Sequence, residues 1–152
     1  MARYFLDTSA LEKYYHNELG SEKVLALFSE SGRNIRISDL GVVEAQSAFA
    51  MRVRAGQLDQ EGAGAQRAIM MLDIAAGAVE VHKMRPDHFR TAGLLIGRHG
   101  YYRRLRTLDA LQLAMALELS QQGLLDMFVV ADKALCEVAA LEGIRTLNPE
   151  VS

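Results

Sequence analysis

Four carboxylates in this chain stand where a solvated carboxylate is not expected. Asp7 directly follows the apolar run Tyr4-Phe5-Leu6, and Asp132 directly follows Met127-Phe128-Val129-Val130-Ala131. Asp109 lies in the first turn of a helical stretch that is apolar almost all round, and Glu44 lies among residues patterned as a buried helix face. Charged side chains are seldom fully buried unless paired. If folding brings these four together, their mutual repulsion calls for cations, and hard oxygen donors of this kind suit Mg2+ or Mn2+. The chemistry that uses such a cluster is phosphoryl transfer. A divalent ion binds the scissile phosphate, lowers the pKa of a water and stabilises the leaving oxygen. Each residue also has a plainer reading. Asp7, Asp109 and Asp132 could cap the helices that follow them, and Glu44 could sit on a solvated helix face.

Positioning such a cluster needs strands that end at one sheet edge. Residues 4–6 read as a short buried strand, followed by a helix over 9–15. Ser21 caps a second helix with Val24, Leu25, Leu27 and Phe28 on its apolar face. A strand over 35–37 leads to Ser38, which can cap a helix over 39–55 that stops at Gly56. Asp59 opens a helix ending at Gly77, and residues 78–82 alternate as a half-exposed strand does. Pro86 opens a helix to about His99, with Phe89, Ala92, Leu95 and Ile96 inward. A buried helix over 108–121 follows. Residues 127–131 resemble a central parallel strand. A helix over 133–142 and a short strand over 145–147 complete the chain. This alternation predicts an α/β fold with a mainly parallel sheet covered on both faces. No linker, repeat or low-complexity segment divides residues 1–152, so a single domain is expected.

The totals agree with that expectation. The chain has 152 residues, 50% of them hydrophobic and 24% charged, with a formal net charge of −2. That balance argues against a large basic footprint for nucleic acid but does not exclude a local basic rim. A single cysteine, Cys136, rules out an intramolecular disulfide and suits a reducing compartment; its apolar surroundings suggest a buried thiol. No apolar run approaches the roughly 20 residues that span a bilayer. The apolar start is too short for a signal peptide, so the expected location is cytoplasmic and away from membranes. The connector Tyr101-Tyr102-Arg103-Arg104-Leu105-Arg106 is basic and aromatic. Its arginines could contact phosphates and its tyrosines could stack on unpaired bases, or it could be a solvated loop whose tyrosines pack partly on the core. His16, His82, His88 and His99 show no metal-ligand spacing, and Lys133 beside Asp132 could neutralise a phosphate or simply face solvent.

At these residues the sequence resembles the PIN-domain nucleases, and among them the VapC-type toxins of toxin–antitoxin pairs. The resemblance runs through Tyr4-Phe5-Leu6-Asp7-Thr8-Ser9-Ala10-Leu11, Val43-Glu44-Ala45-Gln46-Ser47-Ala48-Phe49, Leu105-Arg106-Thr107-Leu108-Asp109-Ala110-Leu111-Gln112-Leu113-Ala114 and Phe128-Val129-Val130-Ala131-Asp132-Lys133-Ala134-Leu135. It implies a three-layer α/β/α sandwich in which Asp7, Glu44, Asp109 and Asp132 surround Mg2+ or Mn2+. It further implies metal-dependent cleavage of RNA to 5′-phosphate and 3′-hydroxyl ends. Ser9, with Thr8 beside it, would be accessory to the acidic cluster, while Arg103, Arg104 and Arg106 are candidate RNA contacts. The implied partners are a small VapB-like antitoxin, whose tail blocks the cleft through a basic side chain, and a second copy forming a homodimer.

The chain departs from the family pattern at Val130, where members often carry Thr or Ser. That departure favours an alternative in which a catalytically weak or inactive PIN fold serves as a protein- or RNA-binding module. A receiver-like or phosphatase reading would use Asp7 covalently. No second Asp lies close behind Asp7, and the last strand lacks the Lys of a receiver site.

Overall fold

The computed structural model describes residues 2–151. Five strands form one parallel sheet in the order β3-β2-β1-β4-β5. They are β1 (Arg3–Leu6), β2 (Asn34–Ser38), β3 (Glu80–His82), β4 (Met127–Val129) and β5 (Thr146–Leu147). Seven helices connect and cover them: α1 (Thr8–Tyr15), α2 (Ser21–Ser29), α3 (Asp39–Arg54), α4 (Gln60–Ala75), α5 (Pro86–His99), α6 (Thr107–Gln121) and α7 (Lys133–Leu141).

The central strand explains the layering. Successive side chains of a strand point to opposite faces. Tyr4 and Leu6 therefore enter a core shared with α1 to α4, while Phe5 enters a core shared with α5, α6 and α7. Phe5 pairs in register with Phe128 of β4, and their rings stack at 5.5 Å. Burial on both faces is what makes β1 and β4 continuous apolar runs. The result is the expected α/β/α sandwich. The chain runs from β1 outward to β2 on one side, and β4 later takes the other side of β1. In open α/β sheets such a reversal leaves a crevice at the carboxyl ends of the two strands, where ligands bind. Asp7 and Asp132 follow those two ends.

The helix boundaries follow the caps. The Ser38 hydroxyl accepts the Gly41 amide at 2.9 Å and the Asp59 carboxylate accepts the Gly62 amide at 2.6 Å. Gly56, with φ of 72°, turns the chain away after α3 in a conformation that L side chains resist.

Several local expectations need correction. Ser21 is the first residue of α2 rather than its cap, because Gly20, at φ of 88°, takes the cap position. Leu25 points outward, as does Phe89, which is 59% exposed. On α5 the buried stripe is instead His88, Ala92, Leu95 and His99. The two histidines occupy core positions because each meets a distant carboxylate: His88 pairs with Glu118 and His99 with Glu142. Tyr101 and Tyr102 do not pack on the core. Cys136 is half-buried and donates to the Val130 carbonyl at 3.4 Å. No helix among the described residues is long and apolar enough to cross a membrane.

Candidate functional site

Asp7, Glu44, Asp109 and Asp132, from four separate stretches of sequence, line one open cleft of about 1210 Å3 at the carboxyl edge of the sheet. Asp7 does two jobs. It caps α1, accepting the Ser9 amide at 3.1 Å, and its carboxylate also opens on the cleft. The Ser9 hydroxyl donates to the same Asp7 oxygen at 2.5 Å and accepts the Ala131 amide at 3.0 Å. Ser9 thus joins the end of β1 to the segment leaving β4. Among the described residues, no cationic side chain forms an ion pair with Asp7. Burial raises its pKa, the Ser9 bonds offset part of that rise, and the Glu44 and Asp109 charges add to it, leaving Asp7 near 6.

Glu44 lies in the second turn of α3 and is half-buried. It accepts the Thr8 hydroxyl at 2.8 Å and the Gln112 amide at 3.1 Å. Asp109, in the first turn of α6, closes back on the backbone N–H and Nε of Arg106, both at 3.3 Å. Asp132 caps α7 through the Leu135 amide at 3.1 Å. Its other oxygen faces Arg104 at 3.2 Å and Arg106 at 3.6 Å. The Arg106 guanidinium therefore bridges Asp109 and Asp132. That pairing holds its own pKa above the usual range, through the Asp109 hydrogen bond first. Arg103 and Lys133 are exposed.

Gln112 is a site residue that sequence reasoning gave no role. It is almost fully buried, accepts from the Ser38 hydroxyl at 2.9 Å and donates to Glu44 and Thr8. One amide thus ties α6 to α1, α3 and the end of β2. The available signal was its position: it lies three residues after Asp109, on the same face of a helix otherwise apolar nearby. Gln112→Leu keeps the approximate volume but strips those partners. It is expected to cost about 1–3 kcal/mol, lowering the urea midpoint at unchanged slope.

Among the described residues, no group of three His, Cys, Asp or Glu side chains is close enough together to hold a metal ion. Arg106 lies between two of the cleft carboxylates instead. The donor set still fits a hard cation. It is all carboxylate, and Asp7 is a buried acid that no cationic side chain pairs with among the described residues.

The PIN domain family matches residues 4–141, so the chain belongs to that family. Among solved structures it resembles VapC20 of Mycobacterium tuberculosis, described as a sarcin–ricin loop cleaving toxin. The identity is 18%, 97% of this chain and 98% of that one are covered, and the TM-score is 0.67. It also resembles DNA-bound VapBC of Salmonella typhimurium, at 18% identity, 98% and 99% coverage and a TM-score of 0.62. PAE2754 of Pyrobaculum aerophilum is similar at 20% identity, 90% and 84% coverage and a TM-score of 0.61. At these identities the likeness is one of fold. No curated protein matches the chain.

Proposed function

We propose that the chain is a metal-dependent endoribonuclease and the toxin of a toxin–antitoxin pair, with Asp7, Glu44, Asp109 and Asp132 holding Mg2+ or Mn2+. The observation that carries this reading is the convergence of the four carboxylates on one cleft, with Asp7 buried there and unpaired by any cation among the described residues. The chemistry such an ion would supply when bound there is positive charge at the scissile phosphate and a lowered pKa for water. The chain's own groups prepare the place. Ser9 fixes the Asp7 carboxylate, Thr8 and Gln112 fix Glu44, and the α6 N-terminus favours the Asp109 charge. Family membership and the VapBC likeness support a small VapB-like antitoxin as partner. Its basic side chain would enter the acidic cleft, as Arg106 already does from within. A homodimer completes the reading.

Arg106 gives a graded test of metal binding. Its side chain is 64% exposed, so solvent screens its ion pairs and each is worth little. Arg106→Ala should leave the melting temperature nearly unchanged. It should also tighten Mn2+ binding by about two- to fivefold in calorimetry, since no guanidinium has to leave. Weaker binding would instead make Arg106 a residue that positions Asp109.

The toxin role is tested by induced expression in a bacterial host without antitoxin. Wild type should arrest growth, and neither Asp132→Asn nor Glu44→Gln should do so at matched protein levels. Equal arrest by all three would place the toxicity outside this cleft, and no arrest by any would remove the toxin assignment. The binding-module alternative gains no structural support from Val130. That side chain is fully buried in the core under α5 to α7 and is not among the residues lining the cleft.

A further inference from the structure

Tyr101 and Tyr102 are the most exposed large hydrophobic residues described, at 83% and 81%. They are not on a loose loop. The Tyr102 and Arg103 amides both donate to the His99 carbonyl, at 3.0 and 2.9 Å. His99 is itself buried and paired with Glu142 of the turn after α7 at 2.6 Å. At the other end, Leu105 is buried in the core. A short turn pinned at both ends thus holds two bare aromatic rings in solvent.

The same turn carries the cleft's basic rim. Segment 100–106 contains Arg103, Arg104 and Arg106 and no acidic residue. Arg104 and Arg106 line the cleft, where they neutralise Asp132 and Asp109. Tyr102 is two residues from Arg104, so their Cα atoms are at most about 7 Å apart. The backbone that carries the two rings therefore adjoins the cleft-lining arginines. Aromatic faces next to arginines suit a strand whose bases are unstacked. Bases inside an A-form helix are stacked on one another, and its major groove is too narrow for side chains.

We infer that segment 101–106 is the substrate-reading strip of this cleft, with Tyr101 and Tyr102 stacking on unpaired bases while Arg104 and Arg106 carry adjoining phosphates. This inference builds on the ribonuclease reading above. Both arginines are largely exposed, so solvent screens their ion pairs with Asp132 and Asp109 and they can exchange them for phosphate at little cost.

Fluorescence anisotropy with a labelled single-stranded RNA and its duplex tests this in the full chain. An Asp7→Asn background with Mg2+ present prevents cleavage during the measurement. Tyr101→Ala/Tyr102→Ala should weaken single-strand binding about tenfold or more. Tyr101→Phe/Tyr102→Phe, which keeps the rings, should stay within about twofold. The duplex should bind more weakly than the single strand and be indifferent to either change. Equal affinity for both RNAs, or an alanine variant that binds normally, would overturn the inference. So would an alanine variant that keeps its RNA affinity but loses self-association in light scattering, since the rings would then cover protein. A separate cleavage assay of the wild type keeps the two readings apart. Ring-dependent binding without cleavage removes the ribonuclease and retains the strip. Cleavage without ring dependence does the reverse.

Discussion

Asp7→Asn should abolish RNA cleavage and at the same time stabilise the metal-free protein. The loss follows from removing a carboxylate at the centre of the cleft, and at least a hundredfold fall in rate is expected. The gain follows from burial. In the fold Asp7 titrates near 6, above the unfolded value of 3.8. The folded state then holds the proton more tightly than the unfolded chain between those two values. The associated stability is fully present below about 3.8 and is lost as pH rises through 6. At pH 8 the wild type carries a buried charge that disfavours folding by on the order of 2–3 kcal/mol. Asn keeps an oxygen for the Ser9 amide and hydroxyl but carries no charge. After the cost of burying its amide, a net gain of about 1–2 kcal/mol remains, or a melting temperature higher by roughly 3–6 °C. The difference between variant and wild type should shrink as the pH is lowered from 8 to 5, which differential scanning calorimetry in EDTA would show. A variant less stable than wild type at pH 8 would mean that Asp7 is structurally required as an anion.

Mn2+ should stabilise the wild type strongly, and more so at pH 8 than at pH 5.5. A ligand at a hundred times its dissociation constant adds about 2.7 kcal/mol to the folded state. For a chain of this length that is a rise of roughly 5–10 °C. Below pH 6 a proton on Asp7 competes with the cation, so the shift in melting temperature should fall toward acid. Asp109→Asn should remove most of it at either pH. That substitution keeps an acceptor for the Arg106 amide, so the fold of α6 should survive. A Mn2+ shift of equal size in wild type and Asp109→Asn would place the ion elsewhere.

The strands and three of the acids were legible for one physical reason. A strand buried on both faces is a short apolar run, and a carboxylate directly after it marks the sheet edge. Asp7 announces itself in this way, Asp132 ends an apolar run of which only Met127–Val129 is strand, and Asp109 stands out by opening an apolar helix. What the sequence hid were interactions between distant residues. His88 and His99 break the apolar period of α5, so the pattern points Phe89 inward. The histidines are core residues only because Glu118 and Glu142 come to meet them. Gln112 looks like an interruption in α6 until Ser38, Thr8 and Glu44 surround it. Arg104 and Arg106 read as a basic connector, and their spacing does not show that they fold back over the carboxylates. Asp7 both caps α1 and lines the cleft, since a single carboxylate has oxygens enough for both.

Cleavage of an end-labelled RNA by wild type and by Asp109→Asn, each in Mg2+ and in EDTA, tests the metal-dependent chemistry most directly. Cleavage by the wild type alone, and only with Mg2+, leaving 5′-phosphate and 3′-hydroxyl ends, is the expected result. Equal degradation by both proteins, or undiminished degradation in EDTA, would contradict it.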